Sequence, residues 1–228
     1  AELARAAQRV AKGDAPLAAA EKESFRVTRV FNATITGARQ AADVANVLSQ
    51  HHCQALTDPQ FTDFGFERQG STWVLLLAAR LELSELDDAA AVAAKVLELT
   101  NEARSQARRC GDRLFQPAPP VRYNVRLERA AALHAQDMAA QQYLDHVARD
   151  GSTPAQRISR AGYHWRSIGE NVAAGQRSAE DVVQDWLASP GHCANIMGDD
   201  FAEMGVAFSI NMKSKPVVYW AQEFGVAK

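Results

Sequence analysis

Apolar positions recur at helical spacing along much of the second half of the chain. From about Leu86 to Arg109, Val92, Val96, Leu99 and Ala103 share one face of an Ala-rich stretch, and Gly111 follows as a stop. After Pro117, Pro119 and Pro120, a second helix is expected over Leu127–Gln142, with Leu127, Ala131, His134 and Met138 in a stripe. Ser152-Thr153-Pro154 reads as the cap and first turn of a third helix that Gly162 ends. Ser178, with Glu180 and Asp181 near the positive end of the helix dipole, starts a fourth carrying Val182, Val183 and Trp186. Ser189-Pro190-Gly191 then opens a short turn or helix that holds His192. Met204–Ile210 and Val217–Phe224 partly alternate around residues 211–215 and predict an antiparallel hairpin. Helices against a small sheet make an α+β fold.

The first half reads similarly but more thinly. Residues 1–12 and 17–27 have helical composition on either side of Gly13-Asp14-Ala15-Pro16, residues 38–50 form a helix, and residues 64–83 form a hairpin around Gly70. Asp43–Phe66 also echoes Asp181–Val206. His52-Cys53 aligns with His192-Cys193, and then Leu56 answers Ile196, Phe61 answers Phe201, Asp63 answers Glu203 and Gly65 answers Gly205; Trp73 answers Trp220. Such self-similarity points to duplication, or partial duplication, of a supersecondary unit, with chance similarity of two amphipathic stretches as the alternative. The expected organisation is a smaller, degenerate α+β unit over residues 1–85 followed by the main domain over residues 86–228.

Composition narrows the chemistry. With 228 residues, 47% of them hydrophobic, the chain can bury one large core or two modest ones. The net charge of −2 is spread without a basic stripe, which excludes nucleic acid as the expected partner. The most apolar run, Trp73–Leu83, is broken by Arg80 and Glu82 and falls short of the roughly 20 residues that a membrane helix needs, so a soluble protein without a transmembrane segment is expected. The numbering opens at Ala1 without Met, as in a chain cleaved after a signal peptide, although a trimmed chain opens the same way. Three cysteines, Cys53, Cys110 and Cys193, permit one bridge and one thiol, or three buried thiols.

The most specific signal is a set of ordered motifs: Asp145-His146; Gly169-Glu170-Asn171-Val172-Ala173-Ala174-Gly175; Trp186 through Met197, including Ser189-Pro190-Gly191-His192-Cys193; Met204-Gly205-Val206-Ala207; and Tyr219 through Gly225. In this order they resemble bacterial members of the CAP superfamily, the cysteine-rich secretory protein, antigen 5 and pathogenesis-related group, over about residues 92–228. The resemblance implies an α-β-α sandwich with a small antiparallel sheet, and a secreted, periplasmic or extracellular location. It also implies a Cys110–Cys193 disulfide, as in one subgroup; closing a loop of about 80 residues, that bridge would contribute roughly 4 to 5 kcal/mol in the chain-entropy model.

The resemblance further implies an open cleft in which His146, His192 and Glu170 match two histidines and one glutamate. The family's second glutamate would fall at Ser189, so that carboxylate is missing. Two neutral imidazoles and a carboxylate would suit zinc or another divalent metal with an open position for water, and Glu170 is then the candidate catalytic group. The three residues come from dispersed segments and lack the tight spacing of a His-Glu-x-x-His helix, so sequence alone signals metal weakly. Each also has a structural reading: a capping or hydrogen-bonding role for His192, and acceptance of backbone N–H bonds for Glu170.

Elsewhere, His134 reads as a hydrogen-bonded core or supporting histidine, His164 as a surface side chain, and Ser152 and Ser189 as helix caps without a nucleophile elbow. His51 and His52 lack a counterpart of His146, and Asn32 stands near the place of Glu170. The preferred function is a binding module of the envelope or exterior for a lipid, glycan or protein ligand. A zinc-dependent hydrolase of peptides or esters is the alternative, and a scaffold role for the first half a weaker one.

Overall fold

A computed structural model describes residues 1–228. The chain forms two compact units, Ala1–Glu82 and Leu83–Lys228.

The first unit contains α1 (Glu2–Ala11), α2 (Pro16–Lys22), β1 (Val27–Thr36), α3 (Ala41–His51), α4 (Cys53–Leu56), β2 (Asp63–Gln69) and β3 (Thr72–Arg80). β3 lies between β1 and β2 and is antiparallel to both. Its run of apolar residues reflects cover on both faces. Val74, Leu76 and Ala78 join Leu3, Ala6, Ala7, Ala19 and Ala20 on one side, whereas Trp73, Leu75 and Leu77 join Val44 and Leu48 on the other. The helix expected over residues 17–27 is shorter. It ends at Lys22, Ser24 turns the chain at φ 59°, and the β-branched residues from Val27 onward enter β1.

The second unit contains α5 (Ala89–Arg104), β4 (Arg108–Cys110), β5 (Arg113–Phe115), β6 (Arg122–Tyr123), α6 (Val125–Gln141), α7 (Pro154–Arg160), β7 (Trp165–Ala174), α8 (Ala179–Ala188), α9 (Pro190–Met197), β8 (Glu203–Ile210) and β9 (Val218–Ala227). The sheet order is β6-β8-β9-β7, antiparallel except for the short β6–β8 pair. The alternating side chains of β9 split between two apolar layers. Val218, Trp220 and Phe224 join Val96, Val183, Trp186 and Ile196 from α5, α8 and α9, whereas Tyr219 and Ala221 join Ala131, Ala135 and Met138 from α6. This is an α-β-α sandwich.

Two local readings are corrected. The helix expected to reach Arg109 ends at Arg104, whose buried guanidinium donates to the carbonyls of Pro119, Ile196, Gly198 and Phe201. The following residues form a hairpin, with Gly111 at φ +60° between β4 and β5. The cap of α7 is Thr153, in a reciprocal capping box with Gln156, and not Ser152, which is buried one residue earlier.

Cys110 and Cys193 are joined, with Cα atoms 5.5 Å apart, and Cys53 is an exposed thiol. The bridge fastens β4 to α9 one residue beyond His192.

Candidate functional site

Three segments converge at the β7 edge of the sheet. α6 ends at Gln142 in the left-handed conformation (φ 55°), and the chain then loops to α7 carrying Asp145 and His146. The buried His134 of α6 holds this loop from below, with Nε2 2.8 Å from the Asp145 carbonyl. Burial lowers the His134 pKa, so the ring is neutral and Nε2–H is the donor. Arg157 of α7 holds the loop from the side, donating to the carbonyls of Ser152 (2.7 Å) and His146 (2.9 Å).

Glu170 on β7 is the centre of charge. Its side chain is 2% exposed; Oε1 lies 2.7 Å from His146 Nδ1, and Oε2 accepts from Arg157 at 2.5 Å. Burial pushes the Glu170 pKa up, but the hydrogen bonds from His146 and Glu223 and the Arg157 charge outweigh it, and the carboxyl is held below its ordinary value. Reciprocally, the bond to Glu170 raises the pKa of His146. A carboxylate bonded to Nδ1–H directs Nε2 of the half-exposed His146 away from Glu170.

His192 reaches the same place on α9. Asn171, next to Glu170 on β7, donates to the His192 carbonyl at 3.3 Å, and Asn195 of α9 donates to the Glu170 carbonyl and to Asn171 Oδ1, both at 2.9 Å. The Gly-Glu-Asn segment therefore supplies both the carboxylate behind His146 and the amide that seats α9. The two imidazole centroids are 6.5 Å apart. Burial, then the proximity of His146, lowers the His192 pKa. Ser189 occupies the N-cap of α9, yet its side chain makes no capping bond there, which corrects that part of its expected role.

Glu223 was not singled out from sequence. It lies directly opposite Glu170 in the β7–β9 ladder, is fully buried, and its carboxyl oxygens receive no bond from an N–H or hydroxyl donor. Burial, then the Glu170 charge, raises its pKa well above the ordinary value, which favours the protonated acid opposite the Glu170 carboxylate. Two ionised carboxylates directly opposite each other would repel. The available signal was an acid at an inward position of the otherwise apolar Tyr219–Phe224 run.

No set of three His, Cys, Asp or Glu side chains is disposed to hold a metal ion. Glu170 has both oxygens engaged, and the two half-exposed imidazoles are the donors left to a metal. On one tetrahedral zinc, with Zn–N of about 2.0–2.1 Å, they would stand roughly 5 Å apart between centroids, so the present spacing fits a divalent ion only in part. The remaining histidines stay apart: His164 is exposed, and His52 packs its ring on Phe31 at 5.4 Å between centroids. A separate groove of about 450 Å³ lies between α5 and α8, floored by Leu99, Ala103, Val183 and Leu187 and rimmed by Glu102 and Glu180.

The chain is a helix–sheet–helix sandwich with His146, Glu170 and His192 gathered at its edge strand. The model of the cysteine-rich secretory protein (CAP) family matches residues 97–224, and the chain belongs to that family. It is 32% identical over 130 residues to the Bacillus subtilis protein YkwD, covering 57% of this chain and 45% of YkwD. It is 25% identical over 112 residues to the B. subtilis membrane protein YlbC, covering 49% of this chain and 30% of YlbC. The chain thus spans less than half the length of either relative. Among solved structures, an SCP-domain extracellular protein of Bacillus anthracis superposes with a TM-score of 0.53 at 21% identity, covering 69% of this chain and 52% of that one, a likeness of fold.

Proposed function

We propose that this chain is a binding module of a secreted or envelope protein, and that it takes a lipid, glycan or protein ligand at the His146–His192 cleft. The observation that carries this reading is the hydrogen-bonded support of His146, with Glu170 fixed at 2.7 Å and itself fixed by Arg157. Two half-exposed rings on a preformed base are suited to holding a ligand group, because little ordering remains to be done on binding. The bond to Glu170 raises the His146 pKa and so favours its cationic form, whereas burial lowers that of His192 and favours its neutral form. A phosphate, carboxylate or sulfate on a lipid or glycan is therefore the recognised group. The extracellular wording attached to the B. anthracis neighbour supports the location, and no helix here is long and apolar enough to cross a membrane.

A zinc-dependent hydrolase acting on peptides or esters is the second reading. It is favoured by the Glu170–His146 pair, since carboxylates commonly orient metal-binding histidines in this way. His146 and His192 would hold the ion, which would supply an acidified water. The test is titration of the full chain and of its His146→Ala and His192→Ala variants with a short-chain anionic phospholipid, a sulfated oligosaccharide and zinc. Saturable binding of an anionic ligand, lost in both variants and without turnover, supports the module. Zinc-dependent ester or peptide cleavage lost in the same variants supports the enzyme.

A further inference from the structure

The two units are built alike. α1-α2-β1-α3-α4-β2-β3 and α6-α7-β7-α8-α9-β8-β9 follow one order, and the strand order β1-β3-β2 repeats β7-β9-β8. The likeness extends to single atoms. Both edge strands slip register at their start, at Val27/Arg29 and at Trp165/Ser167. Both central strands carry a tryptophan whose Nε1 donates to a carbonyl after the edge strand, Trp73 to Ala38 at 2.9 Å and Trp220 to Gln176 at 3.0 Å. A Cβ on Gly65 would meet the Leu3 carbonyl oxygen at 2.1 Å, and one on Gly205 would meet the Glu128 nitrogen at 2.0 Å; each glycine admits the same turn of the first helix. Pro16 and Pro154 open the second helices, and Ser24 and Gly162 then turn the chain at positive φ.

With these points aligned, each buried polar residue around Glu170 has a counterpart. Val10 stands for His134, Ala19 for Arg157, and the Asn32–Leu76 cross-strand pair for Glu170–Glu223. The loop that carries His146, residues 142–153, is replaced by the tight link at residues 12–15. The first unit is thus a natural version of the same core without the site. It shows that seven elements, their register and their helix packing form without a buried acid pair, guanidinium or imidazole. Burying such groups opposes folding unless each is compensated, so their presence in one copy requires a reason other than the fold.

We infer that His134, Arg157 and Glu223 are positioning residues of the His146–Glu170 site, kept for the site and dispensable to the fold. The inference deepens the binding reading and concerns the site's own order. Arg157 donates to the Glu170 carboxylate, Glu223 stands directly opposite it across the β7–β9 ladder, and Glu170 in turn holds the His146 ring; His134 bonds the backbone that carries that ring. The groups facing Glu223 are Glu170 from β7, Arg157 from α7 and, through Glu170, His134 from α6 and His146 from the loop.

The test is made on the full chain without ligand, so that it succeeds or fails independently of whether an anionic ligand is found. Two readouts are taken, the melting temperature and the ring ¹⁵N resonances of His146, which report whether Nδ1 carries the proton. The fourfold variant His134→Val, Arg157→Ala, Glu170→Asn, Glu223→Leu transplants the first unit's solution and is expected to melt within about 4 °C of the parent or above it. Glu223→Leu alone is expected to melt higher while His146 loses its fixed Nδ1–H form, and Glu223→Gln, whose amide donates to Glu170 without titrating, is expected to restore that form. A fourfold variant that melts more than about 10 °C lower would show that the network holds the fold together. A Glu223→Leu variant with unchanged His146 resonances would show that Glu223 does not position the ring. Either result overturns the inference.

Discussion

Removing the Cys110–Cys193 bridge as Cys110→Ala/Cys193→Ala isolates one large contribution to the second unit. The half-cystines are 83 residues apart, and in the chain-entropy model closing a loop of that size restricts the unfolded chain by about 4.5 kcal/mol at 25 °C. A domain of ordinary stability holds only about 5–15 kcal/mol in all. For a domain of this size, 1 kcal/mol moves the melting temperature by about 2–4 °C, so a fall of roughly 9–18 °C is expected. Both sulfurs are buried and the replaced side chains are small, so lost packing adds little. The assay is thermal melting with and without reductant, combined with hydrogen exchange on peptides from each unit. Protection should fall in α5, α8 and α9 and remain in α1 and β3, since the bridge lies wholly within Leu83–Lys228. A fall of less than about 3 °C, or an equal loss of protection in the first unit, would refute the reasoning.

Glu170→Ala leaves Arg157 buried without its carboxylate, and breaking such a pair is expected to cost about 3–5 kcal/mol, read as a lower urea midpoint. Stability should also depend on pH with a worked sign. The His146 pKa is raised in the fold, so its contribution is complete below the ordinary imidazole value of 6.5 and is lost as pH rises through the folded value. The Glu170 pKa is lowered, so its contribution is present above 4.5 and is lost as pH falls through the folded value. The Glu223 pKa is raised, so its contribution is complete below 4.5 and is lost as pH rises toward the folded value; urea midpoints from pH 4 to 8 should lose that slope in Glu223→Leu. Zinc, if it binds, should do so weakly near neutrality and leave below about pH 6.5, and Ser189→Glu should tighten it by about 10 to 100-fold in calorimetry; affinity that ignores pH and survives His192→Ala would contradict this.

Much of the second unit was legible because its signals are local. Val92, Val96 and Ala103 on α5, and Leu127, Ala131 and Met138 on α6, mark buried stripes that need only a period of 3.6. Gly162 and the hairpin at residues 211–215 are likewise turn signals read in place, whereas Gly111 turns the β4–β5 hairpin instead of ending a helix. β1 and β7 were not legible as strands. The run around Phe31-Asn32-Ala33 has no clean alternation, and the Gly169–Gly175 motif mixes glycine, acid and amide because its residues serve the cleft and the α9 contact as well as the sheet. The early end of α5 depends on Arg104 finding four carbonyls distant in sequence.

For the site, motif order singled out His146, Glu170 and His192, but only the fold shows which way the carboxylate turns. Glu170 faces inward to Arg157 and Glu223, two partners that become neighbours through the β7–β9 pairing and the packing of α7. That geometry changes Glu170 from a prospective ligand in the cleft into the support of His146.

The central claim is that the cleft binds an anionic ligand group through His146 and His192, and its most direct measurement is NMR titration of the full chain with a soluble short-chain anionic phospholipid. The account predicts that the ring resonances of both histidines shift together and saturate, that the ester remains intact, and that His192→Ala weakens binding at least tenfold. Shifts confined to other residues, or binding that His192→Ala leaves unchanged, would contradict it.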